Sequence, residues 1–467
     1  MRHGTMVTAE RLKNYLDAYG ELLALRAESE PLWLRQLRAE AWAQFRATGF
    51  PTTRDEDWRF TSLAALVRTP FRRAQAGDAP VSPGGVDQFL FAGASCRLVF
   101  VNGRFAAELS STDNLPAGLE VCSLAEAHGR GAEGIEQHLG RYADIRRDVF
   151  PALNTALWED GAYIRVRRGA VIEQPVHLLY VSAAGGEAAM TTPVMTNPRT
   201  LIVAEPTSEA AVVEDYVSIG SGAALSNSVT ELVAGDGANI SHYLLERENL
   251  EAFNISTLRI EQSRAANVSS HSILLGGGLV RNNVHPVLAG EGADCHINGL
   301  FIGAGRQHMD NYMLVEHTSP NCASRQFYNG ILDDEAHGVF HGRIFVHKDA
   351  QKTDAKQTNR NLLLSDSARI DTKPQLEIRA DDVKCTHGAT IGQIEETQLF
   401  YLRSRGFSEG EARSLLLSAF AGECIERMKE EPVRAFIKGL TDRRLLELAQ
   451  KSAPPHRKSA GDGKELE

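Results

Sequence analysis

For about two hundred residues, between positions 163 and 346, short runs rich in β-branched and aromatic residues succeed one another with hardly a trace of helical period. The runs fall at 163–167, 176–181, 200–205, 209–215, 238–246, 254–262, 266–275, 283–288, 294–302, 311–316, 325–332 and 339–346, and an earlier one at 96–102 leads into them. Turns this short leave no room for crossover helices, so an alternating α/β fold is excluded. Two architectures absorb so many strands: a large sandwich, or a parallel β-helix in which each coil stacks on the last. The β-helix is favoured, because every strand then pairs with the coil above and below while small residues take the corners. Asn239, Asn267, Asn298, Asn329, Gly237, Gly299 and Gly330 are the expected corner residues. The 40 glycines and the low aromatic share of 7% suit such stacked short strands without demanding them.

The flanks read differently. From position 8 to 48 apolar residues recur at three and four, with Pro31 starting a second helix and Gly49 ending it. Trp58 and Phe60, in the charged stretch that follows, are expected as packing anchors at the entry to the sheets, and 70–93 as a linker rich in Ala, Gly and Pro. Beyond Gly392 the helical period returns. A short helix over 395–405 closes at Gly406, Ser408 with Glu411 forms a capping box for the next, and Pro432 opens a third. The expected organisation is therefore an N-terminal helical region and linker over 1–92, a β-helix core over 93–392, a C-terminal helical domain over 393–450 and a disordered tail over 451–467.

A net charge of −10 argues against a nucleic-acid partner, and no apolar run approaches the roughly 20 residues that cross a bilayer. The six cysteines, at 96, 122, 295, 322, 385 and 424, show neither paired spacing nor a CxxC, so reduced thiols and a cytoplasmic location are expected. GGG at 276–278 lacks the GK[ST] ending of a phosphate loop, so any ATP hydrolysis belongs to a partner.

The chemistry concentrates at DDVKCTHGATIG, 381–392. In a strand Cys385 and His387 share a face, about 6.5 Å apart, a spacing that suits one metal ion or neighbouring irons of a cluster. One thiolate and one imidazole make an incomplete site, and the missing ligands must come from elsewhere. Other candidates are weaker. His337, His341 and His347 share strand parity but spread along the surface, Cys295 and His296 face opposite ways, Cys322 is a loop thiol and Cys424 a core one. The acidic pair Asp381 and Asp382 raises the alternative of a β-helix enzyme acting on polysaccharides, although adjacent strand residues point to opposite faces.

Taken together, DDVKCTHGATIG, the following FYLRSRGFSEGEARSLLLSAFAGE (400–423) and the early GFPTTRDEDWRFTSL (49–63) resemble the SufD family of the SUF iron–sulfur cluster assembly system. The sister family, SufB, carries Glu-His-Glu-Ala where this chain has Cys385, Thr386, His387 and Gly388. The resemblance implies a mainly β protein with a right-handed parallel β-helix core flanked by N-terminal and C-terminal α-helical regions. It implies a non-catalytic scaffold subunit that pairs with SufB through Asp382, Lys384, Cys385 and His387, a homodimer when isolated being a further possibility. No cofactor is expected to be tightly bound, iron or an iron–sulfur cluster being held transiently at the SufB interface by Cys385 and His387. The ATPase SufC is expected on the C-terminal helices, at Phe400, Tyr401, Arg405, Phe407, Leu416 and Phe420. A subunit that stabilises SufB without touching the cluster is the alternative within the same family.

Overall fold

The computed structural model describes residues 9–26, 30–75, 77–78, 80–183 and 192–451. The expected disordered tail lies, but for Lys451, outside the described residues.

Successive strands alternate between two parallel sheets. One contains Ala162–Val166, Arg199–Ala204, Ala224–Ala234, Phe253–Gln262, Leu279–Leu288, His308–His317, His337–Val346 and Arg369–Ile378 in that spatial order. The other contains Cys96–Val101, Val176–Ala183, Glu209–Ile219, Asn239–Arg247, Asn267–Leu274, Asp294–Gly303, Ala323–Leu332, Asp354–Leu363 and Lys384–Gly392. Paired positions in the second sheet fall 27 to 31 residues apart from Glu209 onward, the length of one coil. This is a parallel β-helix, with Leu, Val, Ile and aromatic side chains filling its lumen.

One corner repeats in every coil. Gly169, Thr207, Gly237, Ala265, Gly292, Asn321 and Lys352 all have positive φ, between 54° and 72°. Each donates its backbone N–H to the coil above, to the carbonyls of Pro206, Asp236, Arg264, Glu291, Pro320, Gln351 and Asp382 in turn. The small residue that follows, such as Ala238, Ala266, Ala293 or Cys322, turns inward and is buried. Side chains rarely tolerate this conformation, and the inter-coil ladder offsets the cost at the four positions that are not glycine.

Of the expected corner residues only Gly237 has this turn. Asn239 and Asn267 open strands, and Asn298, Gly299, Asn329 and Gly330 lie inside them. Gly299 and Gly330 serve packing instead. A Cβ at Gly299 would overlap the Tyr328 ring, and one at Gly330 the Phe301 ring, so each glycine makes room for an aromatic side chain of the neighbouring coil.

Helices cover the outer faces. Ala9–Arg26, Leu32–Thr48 and the fully buried Val149–Leu157 pack through Tyr15, Trp42, Phe45 and Phe150 against Met195, Leu225 and Ile255 of the first sheet. Glu396–Ser404, Glu409–Ile425 and Glu431–Lys451 follow the solenoid, and the latter two bury Leu417, Phe420, Val433 and Ile437 against Tyr243, Ile273, Leu300 and Ile331 of the second. The capping box at Ser408 forms as expected. Trp58 is an anchor too: the Arg281 guanidinium lies 3.9 Å from its ring centre, Thr61 bonds Asp310 at 2.5 Å, and Glu56 pairs with Lys373 in the terminal coil. The segment 49–63 is thus a strap along the first sheet that reaches the solenoid's end.

Candidate functional site

The two ends of the solenoid differ. At the N-terminal end Leu119–Ser123 and Arg104–Phe105 add antiparallel strands beside Ala162–Val166 and Cys96–Val101, and the lumen is buried there, with Leu98, Phe100, Ile164 and Val166 fully covered. At the other end Arg369–Ile378 and Lys384–Gly392 are the last strands of their sheets, each with one edge unpaired. Unpaired edges invite strand addition. The lumen is left open as well. Ile378 and Ile391 occupy inward-facing positions and are nevertheless 41% and 51% exposed.

Cys385 and His387 stand at this mouth. In the strand below, Ala355, Gln357, Asn359 and Asn361 are buried while Lys356 between them is exposed, so the first set faces the lumen. Register carries that parity upward, Ala355 beneath Cys385 and Gln357 beneath His387. The two candidate ligands therefore share the lumen face. Cys385 packs against the core and is half-buried, whereas His387 is exposed.

All six cysteines are free, and Cys385 alone is not fully buried. Burial pushes the Cys424 thiol up to about 12 and those of Cys96 and Cys122 up to about 11. Burial also raises the Cys385 thiol, against a lowering by a backbone contact with Ala355. A metal would have to displace the thiol proton. Among the described residues no group of three or more His, Cys, Asp or Glu side chains is placed to hold a metal ion. Cys385 and His387 are donors of the right chemistry, but they form half of a site that opens outward.

The other expected contact residues divide. Lys384 faces outward and is exposed. Asp382 precedes the strand: its carbonyl accepts from the Lys352 N–H and its carboxylate pairs with Lys352 Nζ at 2.9 Å, which holds the carboxyl below its usual range. It closes the last corner of the ladder.

On the helices Phe400, Tyr401, Arg405 and Phe407 are exposed, Phe400 by 75%, with the Arg405 guanidinium 5.1 Å from the Tyr401 ring centre. Leu416 is half-buried. Phe420 is a correction: it turns onto the second sheet beneath Arg360 and is 9% exposed, because its helix needs an apolar face for the solenoid as well as one for solvent. The exposed counterparts are Leu415 and Leu446, which with Phe407 line a groove of about 560 Å³. The sequence shows Leu446 as one of the apolar residues of its helix but does not tell it apart from the buried Leu445 and Leu448 beside it.

His337, His341 and His347 bond separately to Asp371, Gln375 and Glu316 and do not converge. Cys295 is buried while His296 is exposed, as opposite faces require. Cys322 is a buried corner residue, and Cys424 donates to the Gly299 carbonyl at 3.2 Å in the core. No helix among the described residues is long and apolar enough to cross a membrane.

Comparison with known proteins places these features. The family described as the SufBD core domain of the SUF system for FeS cluster assembly matches residues 186–420, and the SufBD protein N-terminal region matches 9–178. An iron–sulfur cluster assembly SufBD family protein of Synechocystis is 35% identical over 81% of this chain and 84% of its own length. The iron–sulfur cluster assembly protein SufD of Escherichia coli is 33% identical over 86% of this chain and 91% of its own. SufD of Bacillus subtilis is 24% identical over 95% of this chain and its whole length.

Proposed function

The chain belongs to the SufB/SufD family of SUF iron–sulfur cluster assembly proteins, and from that premise we propose that it is the SufD-type scaffold subunit, docking a SufB subunit on its open end. The observation that carries this is the asymmetry of the solenoid, whose N-terminal end buries its lumen residues and whose other end exposes two strand edges, two lumen isoleucines and a thiol beside an imidazole. A second β-helix is the partner whose shape and edge pairing match. Cys385 and His387 then lie at the joint, and the partner supplies the remaining donors for iron or a cluster in transit.

The subunit performs no bond-making step of its own. Its residues bind the cargo and exclude water from it: Cys385 gives up its proton to bind, and the capped lumen shields the thiolate. The groove bounded by Phe407, Leu415 and Leu446, with the exposed Phe400 and Tyr401 on the same helical domain, supports docking of the ATPase SufC there.

The test is anaerobic co-purification with SufB and SufC, followed by absorption spectroscopy of the reconstituted cluster. The expected result is a stable complex whose cluster is lost in the Cys385→Ala, His387→Ala double variant. A variant complex that holds its cluster and matures target enzymes like the parent refutes the ligand role and leaves a subunit that stabilises SufB alone.

A further inference from the structure

Beneath His387 the lumen carries a column of side chains stacked in register, Ile297, Gln326, Gln357 and then His387. We propose that Gln357, braced by Gln326, is a positioning residue that presents its amide oxygen to His387 and so fixes which imidazole nitrogen is free to bind metal. This rests on the ligand role of His387 proposed above.

Gln326 and Gln357 are 2% and 1% exposed, in a lumen that mixes Leu, Val, Ile and aromatic residues with buried polar side chains, among them Ser270 and His242 lower in the same column. Gln357 Nε2 donates to Gln326 Oε1 at 2.7 Å, which orients the Gln357 amide and leaves its Oε1 buried without a donor. Buried amide oxygens usually find a donor; those of Asn254, Gln262 and Asn329 are open too, and what sets Gln357 apart is its place directly beneath His387 in register. The amide is also given space. Across the lumen stands Gly342, where a Cβ would overlap the Gln357 nitrogen.

The next rung is His387, one strand spacing of about 4.8 Å away. An imidazole that coordinates through one nitrogen is neutral and carries its proton on the other, which must donate to something. An amide oxygen in a fixed orientation can only accept. Gln357 therefore selects the tautomer and holds the ring plane before metal arrives, so less freedom is lost on binding.

The experiment uses the full chain in complex with SufB and SufC and Co²⁺ as probe, with affinity read from its absorption and the imidazole nitrogen coupling from pulsed EPR. Gln357→Leu is expected to weaken Co²⁺ binding about 10- to 100-fold and to alter the nitrogen coupling, an effect typical of lost outer-shell partners. Gln357→Glu, which keeps an acceptor towards His387 but loses the N–H held by Gln326 Oε1, is expected to weaken binding less than Gln357→Leu. Gln326→Leu, which frees the Gln357 amide to turn, is expected to weaken binding in the same direction. If His387→Ala abolishes binding while a folded Gln357→Leu binds with the parent's affinity and coupling, the positioning role is overturned and the ligand role stands. If His387→Ala binds like the parent, the ligand role falls and Gln357 with it. Should Gln357→Leu not fold, parent-like binding by Gln326→Leu overturns the proposal.

Discussion

Replacing Ile378 and Ile391 together by serine isolates the apolar contribution of the open end to partner docking. The exposed fractions, 41% and 51%, are what a partner would cover. Fully burying an isoleucine contributes about 1.5 to 3 kcal/mol, so covering these two portions contributes about 1.5 to 3 kcal/mol in total. The dissociation constant for the SufB partner is then expected to rise roughly 10- to 100-fold. The assay is titration calorimetry or sedimentation of the binary complex, and the matched control is the double variant Leu415→Ser, Leu446→Ser. Leu415 and Leu446 are 47% and 50% exposed in the helical groove, so together they remove similar apolar area from a different surface. The control should leave SufB association unchanged and weaken SufC association. Both serine positions are already half in solvent, so the monomer's melting temperature should fall only slightly. A double variant that binds SufB with the parent's affinity, or a control that weakens SufB association equally, refutes the open end as the docking surface.

Two further outcomes follow from the lumen. Gly330→Ala sets a methyl against the Phe301 ring and the Asn361 amide and is expected to cost about 1 to 3 kcal/mol by overpacking, read as a lower thermal midpoint; a midpoint equal to the parent's would mean the coils slide apart freely. His317, with Nε2 2.9 Å from Ser324 Oγ, has its imidazole pushed down to about 4 by burial. Because the unfolded value is about 6.5, protonation favours the unfolded chain, so stability falls as pH drops from about 6.5 towards 4 and is flat above 7, a loss of about 2 kcal/mol at pH 5. His317→Gln should remove that component from urea unfolding at pH 7 and 5; identical losses in parent and variant would show the ring is reached by water.

Where sequence and structure agree, the cause is periodicity. From Ala162 to Val346 most strands alternate cleanly or are continuously apolar, and their runs stand out to within a few residues. Ala224–Ala234 gives no strand signal because its lumen positions include Ser226, Ser228 and Thr230, small polar residues that mimic a turn. Val149–Leu157 gives no helix signal because every residue of it is buried, which erases the one-sided stripe that marks a surface helix. The corner ladder is hard to read because only three of its seven residues are glycine; its signature is any turn residue followed by a small one, at one coil's spacing.

The strands that sequence could not find are the informative failures. Asp354–Leu363 and Arg369–Ile378 put Gln357, Asn359, Asn361, Thr372 and Pro374 at lumen positions, and two coils beneath Gln357, Asn361 and Pro374 the same columns hold Ile297, Phe301 and Met313. Polar side chains there erase the alternation that identifies a buried strand, and Pro374 interrupts the run further. Polar lumen positions also occur lower, where Thr230, Glu214, His242 and Ser270 bond one another; those of the last two coils differ in lying immediately under Cys385 and His387. The amide column rising to that pair and the two exposed isoleucines fit the proposal that another chain completes this end of the solenoid around a polar cargo.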